Sequence, residues 1–286
     1  MKPKINSYFI GVMWFLLSLV TSVFNDTISK YIGQTLDPSE VAFFRFLFSA
    51  LTLVPFIVFY GISTIKTSSF FIHCARGFIL FLGIMAWTHG LSYHPLAVAT
   101  LVSFTIPLFT LILGYFFLNE NIIWQRWVAT FIGFTGIAVA LGVNGSEFSS
   151  FSLILILSAA GFAGLDVINK IFVVRETMTS MLFYSAVVTA ILAFVPAINH
   201  WQDPSLMQLT LFALLGASAN LILFFILKAF SVLDATAIAP YRYLELLISS
   251  LSGFIFFGES ITHQILYGAL IIIPSTFFIV YSEANK

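Results

Sequence analysis

Long apolar runs, interrupted only by short polar segments, dominate the chain. The apolar residues follow one another without the period-two alternation of a β-barrel strand, so the pattern favours membrane-spanning helices. A bilayer core of about 30 Å takes roughly 20 helical residues. Divided at its polar, Pro and Gly residues, the chain gives ten such spans, at about 8–31, 40–60, 70–91, 95–117, 122–143, 150–173, 178–199, 206–229, 235–257 and 262–282. Because the connections are short, we expect a single all-α bundle of antiparallel neighbours.

Composition supports an integral membrane protein. Of the 286 residues, 60% are hydrophobic and only 8% charged, against roughly 25% charged in a soluble domain, and the mean hydropathy is +1.04. Basic and acidic residues balance at twelve each, so no net charge attracts nucleic acid. The single cysteine, Cys74, excludes an intrachain disulfide and a multi-cysteine metal site. The histidines show no convergent spacing, so we expect no metal site.

The basic residues predict the orientation of the chain. With the N-terminus in the cytoplasm, nine basic residues lie at or near the inner side, Arg242 lies deep in a span, and only Lys30 and Arg45 lie toward the outer side. The excess of basic residues on cytoplasmic loops sets membrane orientation. Both termini are therefore predicted to be cytoplasmic. The inner residues are Lys2, Lys4, Lys66, Arg76, Arg126, Lys170, Arg175, Lys228 and Lys286.

Three short segments recur at nearly one offset, which indicates an internal repeat. Residues 26–31 (DTISKY) resemble residues 166–171 (DVINKI), and Pro55 corresponds to Pro196. Residues 116–120 (FFLNE) resemble residues 256–259 (FFGE). The offsets are 140, 141 and 139 residues. Five spans per copy is an odd number, so we expect an inverted repeat of residues 1–145 and 146–286 with the transport pathway between the copies.

These features carry a family resemblance. Ten short-looped spans in two halves, with the fourth and ninth each ending in Phe-Phe followed by a glutamate, resemble the EamA family of the drug/metabolite transporter superfamily. The glycines of the fifth and tenth spans, Gly133, Gly136 and Gly268, belong to the same pattern. Residues 14–31 and 40–46 are also similar to the S-adenosylmethionine uptake carriers of intracellular bacteria. The resemblance implies an inner-membrane carrier without a bound cofactor.

Charged residues deep in a span are the first candidates for a binding site, because each costs about 2.5–3.5 kcal/mol to insert. Arg242 and Glu245 lie near the centre of the ninth span and, at i and i+3, on one helix face. Their counterparts in the first half are the uncharged Ser103 and Ile106. A substrate with unlike ends would require this asymmetry. The alternative is a structural ion pair that holds the ninth helix to a neighbour.

Two further pairs recur in both halves. Asp26 and Lys30, and likewise Asp166 and Lys170, are four residues apart near opposite membrane faces. Their duplication favours gating pairs, which open and close the two mouths of the pathway, over substrate contacts. Asp26 also lies deep enough to touch a ligand.

Polar and aromatic residues on the same helix faces complete the candidate site. On the first helix Trp14 and Asn25 share a polar face that ends near Asp26, and Ser103 lies on a similar face of the fourth. Aromatic rings attract cations and stack on heterocycles. We therefore predict a substrate site made of Glu245, Arg242, Tyr243, Trp14, Asn25, Asp26, Ser103 and Trp87, with Lys30, Asp166 and Lys170 as gating residues.

These observations indicate a secondary transporter of a small organic metabolite that works by alternating access. A buried carboxylate suits the sulfonium and ammonium of S-adenosylmethionine, an arginine its carboxylate, and an aromatic ring its adenine. An amino-acid or drug exporter of the same family remains an alternative, and an intramembrane enzyme is a further one. The sequence lacks the zinc-protease, serine-hydrolase and Walker motifs, so we expect no enzyme. We expect a monomer in the bacterial inner membrane, and whether S-adenosylhomocysteine is exchanged stays open.

The predicted topology can be tested at the C-terminus. A reporter that is active only in the cytoplasm should be active when it is fused after Lys286, because the basic residues place that end inside. The matched control is a reporter that is active only in the periplasm, fused at the same residue. Activity of this second reporter in a full-length product would contradict the count of ten spans.

Overall fold

The computed structural model describes residues 5–93, 105–120, 122–141, 150–258 and 263–284. Within these ranges the regular structure is entirely helical. The principal helices are α1 (Ile5–Ile32), α2 (Pro38–Tyr60), α3 (Phe70–Tyr93), α4 (Ile106–Leu113), α5 (Trp124–Leu141), α6 (Ser150–Phe172), α7 (Met178–Ile198), α8 (Leu206–Val232), α9 (Glu245–Phe257) and α10 (His263–Ala284).

Five helical stretches are long enough to cross a membrane. By length and apolar composition, Ser7–Ile32, Pro38–Tyr60, Phe70–His89, Met178–Ile198 and Leu206–Val232 could each cross a bilayer. Two shorter apolar stretches, Ile106–Leu118 and Leu266–Ser275, accompany them. The described helices begin and end within a few residues of the predicted spans, except in the fourth and ninth. The figure of ten spans therefore stays a prediction.

The fourth and ninth spans are irregular rather than continuous helices. The part of the fourth span that is described runs as α4 followed by a π-helical turn, Gly114–Leu118. The ninth begins with one helical turn, Ala235–Ile238, and a 3₁₀ segment, Ala239–Leu244, before α9 starts. Proline removes a backbone donor and disfavours a helix interior. Pro240, second in the 3₁₀ segment, accounts for the break next to Arg242.

The two halves use matching connections. α2 and α7 begin 140 residues apart, and each has a side-chain cap: Asp37 accepts from the Ser39 amide at 2.8 Å, and Thr177 from the Ser180 amide at 3.1 Å. Such caps satisfy amides that the first helical turn leaves without a carbonyl partner. The π-helical turn after α4 is followed by a left-handed residue, Asn119 (φ 51°), and so is α9, by Gly258 (φ 66°).

Helix packing follows the same correspondence. α1 packs on α8 and α3 on α6; α2 packs on α8 and α3 on α7; α4 packs on α6 and α1 on α9. The contacts are given in three pairs. Within each pair, one contact is converted into the other when every helix is replaced by its counterpart in the other half, α1 by α6, α2 by α7 and so on. The contacts between α2 and α7 and between α5 and α10 are their own counterparts.

Small and polar residues hold the packed helices together. Asn220 on α8 donates to the carbonyl of Ser49 on α2 at 2.7 Å and accepts from the Ser49 hydroxyl at 2.7 Å. Gly136 on α5 faces Ile271 and Ile272 of α10. Glycines let helix backbones approach closely, and interhelical hydrogen bonds replace the hydrophobic effect that lipid does not provide. These contacts fix the positions of α2 and α8, which line the site described below.

Two glycine substitutions test the closeness of this packing. A Cβ on Gly216 of α8 would lie 2.5 Å from the carbonyl carbon of Phe48, whereas a Cβ on Gly164 of α6 would meet nothing within 4 Å. Overpacking costs about 1–3 kcal/mol, so Gly216→Ala should lower the thermal unfolding midpoint in detergent by several degrees. Gly164→Ala, the matched control, should leave it unchanged or raise it slightly. Equal shifts in both variants would contradict the described α2–α8 contact.

A charged cavity between the two halves

A cavity of about 190 Å³ lies between helices of both halves and the segment around Arg242 and Glu245. The helices that line it are α1, α2, α3, α4, α6, α7 and α8. Its walls combine apolar side chains with polar ones. The polar residues include Ser22, Ser49, Asn169, Ser185 and Asn220, and the apolar and aromatic ones include Phe46, Leu80, Ile84, Trp87, Phe162 and Leu223.

Six ionisable side chains line this cavity, three acidic and three basic. Helices from both halves contribute these side chains, so the cavity is shared between the halves. Since three are acidic and three basic, their formal charges cancel. The acidic residues are Asp26, Asp166 and Glu245, and the basic residues are Arg45, Arg76 and Arg242.

Asp166 and Arg242 form the ion pair of the cavity. Nη2 of Arg242 donates to Oδ2 of Asp166 at 2.8 Å, and the two side chains are only 15% and 11% exposed. The guanidinium also lies over the ring of Phe15, 5.7 Å from its centroid. The pair therefore joins α6 to the irregular segment before α9.

This pair replaces the Asp166–Lys170 pairing that helical spacing predicts, and it is an ion pair between the ninth span and a neighbouring helix. Lys170 does not hold Asp166: its Nζ donates to the backbone carbonyl oxygens of Phe230 (2.7 Å) and Leu233 (2.5 Å), at the end of α8. The physical reason is that α8 ends beside Lys170 and offers carbonyls that lack intrahelical donors. Nor does an ion pair join Arg242 to Glu245 in the part of the chain that the structure describes.

Asp26 contacts a different set of partners. Its Oδ1 accepts a hydrogen bond from Nε1 of Trp87 at 3.0 Å, and Arg45 is the basic residue that attracts it electrostatically. Asp26 is 7% exposed. Lys30, four residues on, lies with its Nζ over the ring of Phe257, 4.8 Å from the centroid. The repeated aspartates thus have unlike environments, an indole for Asp26 and a guanidinium for Asp166.

Glu245 lies at the first residue of α9 and is 9% exposed. Ser22 of α1 is its polar neighbour, and its charged neighbours are Asp26 and Arg242. Two carboxylates from different halves therefore face the same part of the cavity. Like charges this close repel one another, so a positive charge between them would be stabilised.

Four of the predicted substrate-site residues line the cavity: Glu245, Arg242, Asp26 and Trp87. Asp166, predicted as a gating residue, lines it too. Ser103 lies outside the described residues.

The other three predicted substrate-site residues face away from it. Trp14 stacks on Phe225 with ring centroids 5.6 Å apart. Asn25 donates to the Leu215 carbonyl at 2.8 Å and to the Ser218 hydroxyl at 2.7 Å, both on α8. Each side chain therefore joins α1 to α8.

Tyr243 is fully buried against α5. Its hydroxyl donates to the carbonyl oxygen of Thr130 at 2.9 Å, and its ring lies on Gly133, where a Cβ would be 3.0 Å from the ring Cγ. The absent side chain at Gly133 makes room for the ring. Tyr243 therefore packs between helices, although its neighbour Arg242 faces the cavity.

Sequence reasoning missed Arg45 and Arg76 as cavity residues. Nε of Arg76 donates to Oδ1 of Asn169 at 3.0 Å, and the guanidinium also contacts His73 and the Met181 carbonyl. Both arginines had served only as orientation signals, yet each lies about two turns inside its helix. The depth criterion that singled out Arg242 would have found them.

Comparison with known proteins identifies the class. A sequence profile of the EamA-like transporter family matches residues 9–142 and again residues 150–281. A solved crystal structure shares the fold, with a TM-score of 0.77 over 98% of both chains at 16% sequence identity. The chain belongs to the EamA family: it is a multi-pass membrane transporter and not an enzyme.

Individual proteins similar to this chain are named as transporters. The S-adenosylmethionine uptake transporter of Rickettsia bellii is 55% identical over 99% of this chain and 97% of its own length. That of Rickettsia prowazekii is 54% identical over 100% and 97%. The riboflavin transporter of Vibrio cholerae is 27% identical over 96% and 94%.

A double-mutant cycle tests the described charge pairing. Removing one partner of a buried ion pair leaves the other uncompensated and costs about 3–5 kcal/mol. Asp166→Asn and Arg242→Gln should therefore each destabilise the protein, and the double variant should be destabilised by much less than their sum. Chemical unfolding in detergent measures the coupling. The matched control cycle uses Glu245→Gln with Arg242→Gln, and a larger coupling there would contradict the Asp166–Arg242 pair.

Proposed function

We propose that the protein is a secondary transporter that takes up S-adenosylmethionine across the bacterial inner membrane. The observation that carries the proposal is 54–55% identity, over nearly the whole chain, to four Rickettsia proteins named as S-adenosylmethionine uptake transporters. Identity falls to 25–27% for the riboflavin transporters. The substrate is therefore inferred from the more similar group.

The chemistry of the cavity supports this substrate. S-adenosylmethionine carries a sulfonium and an ammonium cation, a carboxylate and a flat adenine. Asp26 and Glu245 supply carboxylates for the cations, the arginines supply partners for the carboxylate, and Trp87 supplies an aromatic ring beside Asp26. A charged or π-rich partner in a water-poor site compensates for the hydration that such a ligand loses.

We infer that the chain crosses the membrane ten times as an inverted repeat of residues 1–145 and 146–286. Two separate matches to one family profile support the division. The exchangeable helix contacts, α1–α8 with α3–α6 and α4–α6 with α1–α9, support the symmetry. An inverted repeat has two conformations of equal architecture that open to opposite sides, which is the basis of alternating access. We further propose cytoplasmic termini and a monomer in the lipid bilayer.

We propose that Lys30, Lys170 and Asp166 are gating residues, but not as the pairs expected from the sequence. Lys30 and Lys170 gate near opposite mouths of the pathway, and Asp166 gates from the cavity wall. Lys170 supports the assignment because it bonds to the carbonyls at the end of α8, a contact that must break if α6 and α8 separate. Lys30 lies over Phe257 at the end of α9. Lys30 thus joins helices of the two halves, whereas Lys170 joins two helices of the second half.

Counterflow in proteoliposomes tests the function. Proteoliposomes preloaded with unlabelled S-adenosylmethionine should accumulate the labelled compound from outside. Other vesicles should be preloaded with S-adenosylhomocysteine, riboflavin or aromatic amino acids for comparison. Accumulation driven by S-adenosylhomocysteine would support exchange between the two. Accumulation of amino acids alone would instead identify the alternative, an amino-acid carrier, and would overturn the proposed substrate.

Glu245→Gln tests the role of the carboxylate. The variant keeps the shape and removes the charge, and a charge-assisted contact is worth about 1.5–3 kcal/mol, so the affinity for S-adenosylmethionine should fall roughly 10- to 150-fold. The loss should be much smaller for S-adenosylhomocysteine, in which the sulfonium is an uncharged thioether. Binding competition in proteoliposomes measures both affinities.

The matched control is Glu40→Gln. Glu40 is also buried, but it lies at the start of α2, outside the cavity lining, and accepts from the Gln202 amide at 2.8 Å. It should leave the preference between the two ligands unchanged. If Glu245→Gln lowers only the unfolding midpoint without ligand and keeps the wild-type preference, its role is structural.

A further inference from the structure

Arg45 differs from the other two arginines of the cavity. It lies on α2, is 7% exposed and lines the cavity, yet its Nε and Nη1 have no hydrogen-bond partner among the residues that the structure describes. Arg242 is bound to Asp166, and Arg76 to Asn169 and His73. Buried donors without acceptors are costly, and charged ones especially so. Arg45 is therefore the cavity arginine whose donors await an acceptor.

Asp26 is the acidic neighbour of Arg45. The two attract each other electrostatically, but no ion pair within 4.0 Å joins them in the described part of the chain. Arg45 and Asp26 line one cavity without a direct ion pair, so the cavity has a positively charged side and a negatively charged side at this point. An α-amino acid, with its ammonium and carboxylate on one carbon, has complementary polarity.

We propose that Arg45 and Asp26 form the subsite for the α-amino-acid end of the substrate. The carboxylate accepts from Nε and Nη1 of Arg45, and the ammonium donates to Asp26, whose Oδ1 also accepts from Trp87. Glu245, near Asp26, then faces the sulfonium. This inference rests on the proposed function, and it transfers the carboxylate contact from Arg242, the arginine expected from the sequence, to Arg45.

The wild-type protein gives the first test. Decarboxylated S-adenosylmethionine keeps the adenosine, the sulfonium and the ammonium, and lacks only the carboxylate. Losing charge-assisted hydrogen bonds should weaken its competition against labelled S-adenosylmethionine by roughly 10- to 150-fold. Equal competition by the two compounds would overturn the subsite. No substituted protein is needed, so this result does not depend on folding of a variant.

Substitution of Arg45 gives the second test. Arg45→Gln should lower the affinity for S-adenosylmethionine and leave that for the decarboxylated compound nearly unchanged, so that the wild-type difference between them disappears. Arg45→Lys, which keeps one positive charge, should retain part of the difference. The control is Arg175→Gln, an exposed arginine outside the cavity lining, which should retain all of it. A folded Arg45→Gln that weakens both ligands equally overturns the subsite.

Failure of the proposed function is distinguishable from failure of the subsite. If the wild-type protein does not bind S-adenosylmethionine, the proposed substrate is wrong. Methionine and its decarboxylated amine, 3-(methylthio)propylamine, then test the subsite by thermal shift. Preferential stabilisation by methionine that is lost in Arg45→Gln supports it, and equal effects of the two compounds overturn it.

Discussion

Compensation of buried charge is the constraint on which the arrangement of this protein depends. Each ionisable group near the centre of a span costs about 2.5–3.5 kcal/mol to insert, and six ionisable side chains face one cavity. Their signs cancel, and they are spread over helices of both halves. The Asp166–Arg242 pair at 2.8 Å joins α6 to the segment before α9. Packing of these elements against one another therefore also brings opposite charges together.

The same constraint applies to the backbone. A helix interrupted at Pro240 exposes amide and carbonyl groups that lipid cannot satisfy. The start of the ninth span, where the first helical turn also leaves amides without a carbonyl partner, is satisfied by protein: Glu120 accepts from the amides of Ala235 and Thr236 at 3.0 and 3.1 Å. Beside the break, Arg242 lines the cavity while Tyr243 packs against Gly133.

Apolar runs predict the helices well because each helix depends on its own residues. The seventh span, expected at 178–199, is Met178–Ile198. Partners across helices are less predictable, since spacing shows which residues share a face but not which helix that face meets. Asn25 and Asp26 are adjacent and differ by about 100° of helical rotation; one binds α8 and the other faces the cavity. Asp166 lies 76 residues from Arg242, and no local pattern indicates that contact.

The two repeated aspartates show how a symmetric architecture acquires a directional site. Asp26 and Asp166 occupy corresponding positions, but Asp26 accepts from a neutral indole and Asp166 from a guanidinium. Asp166 is compensated within an ion pair, whereas Asp26 has no ion pair among the described residues. The asymmetry arises from single residues, since Arg45 and Trp87 serve one aspartate and Arg242 the other. The packing of the helices is therefore exchangeable between the two halves, whereas the charged side chains that line the cavity are not.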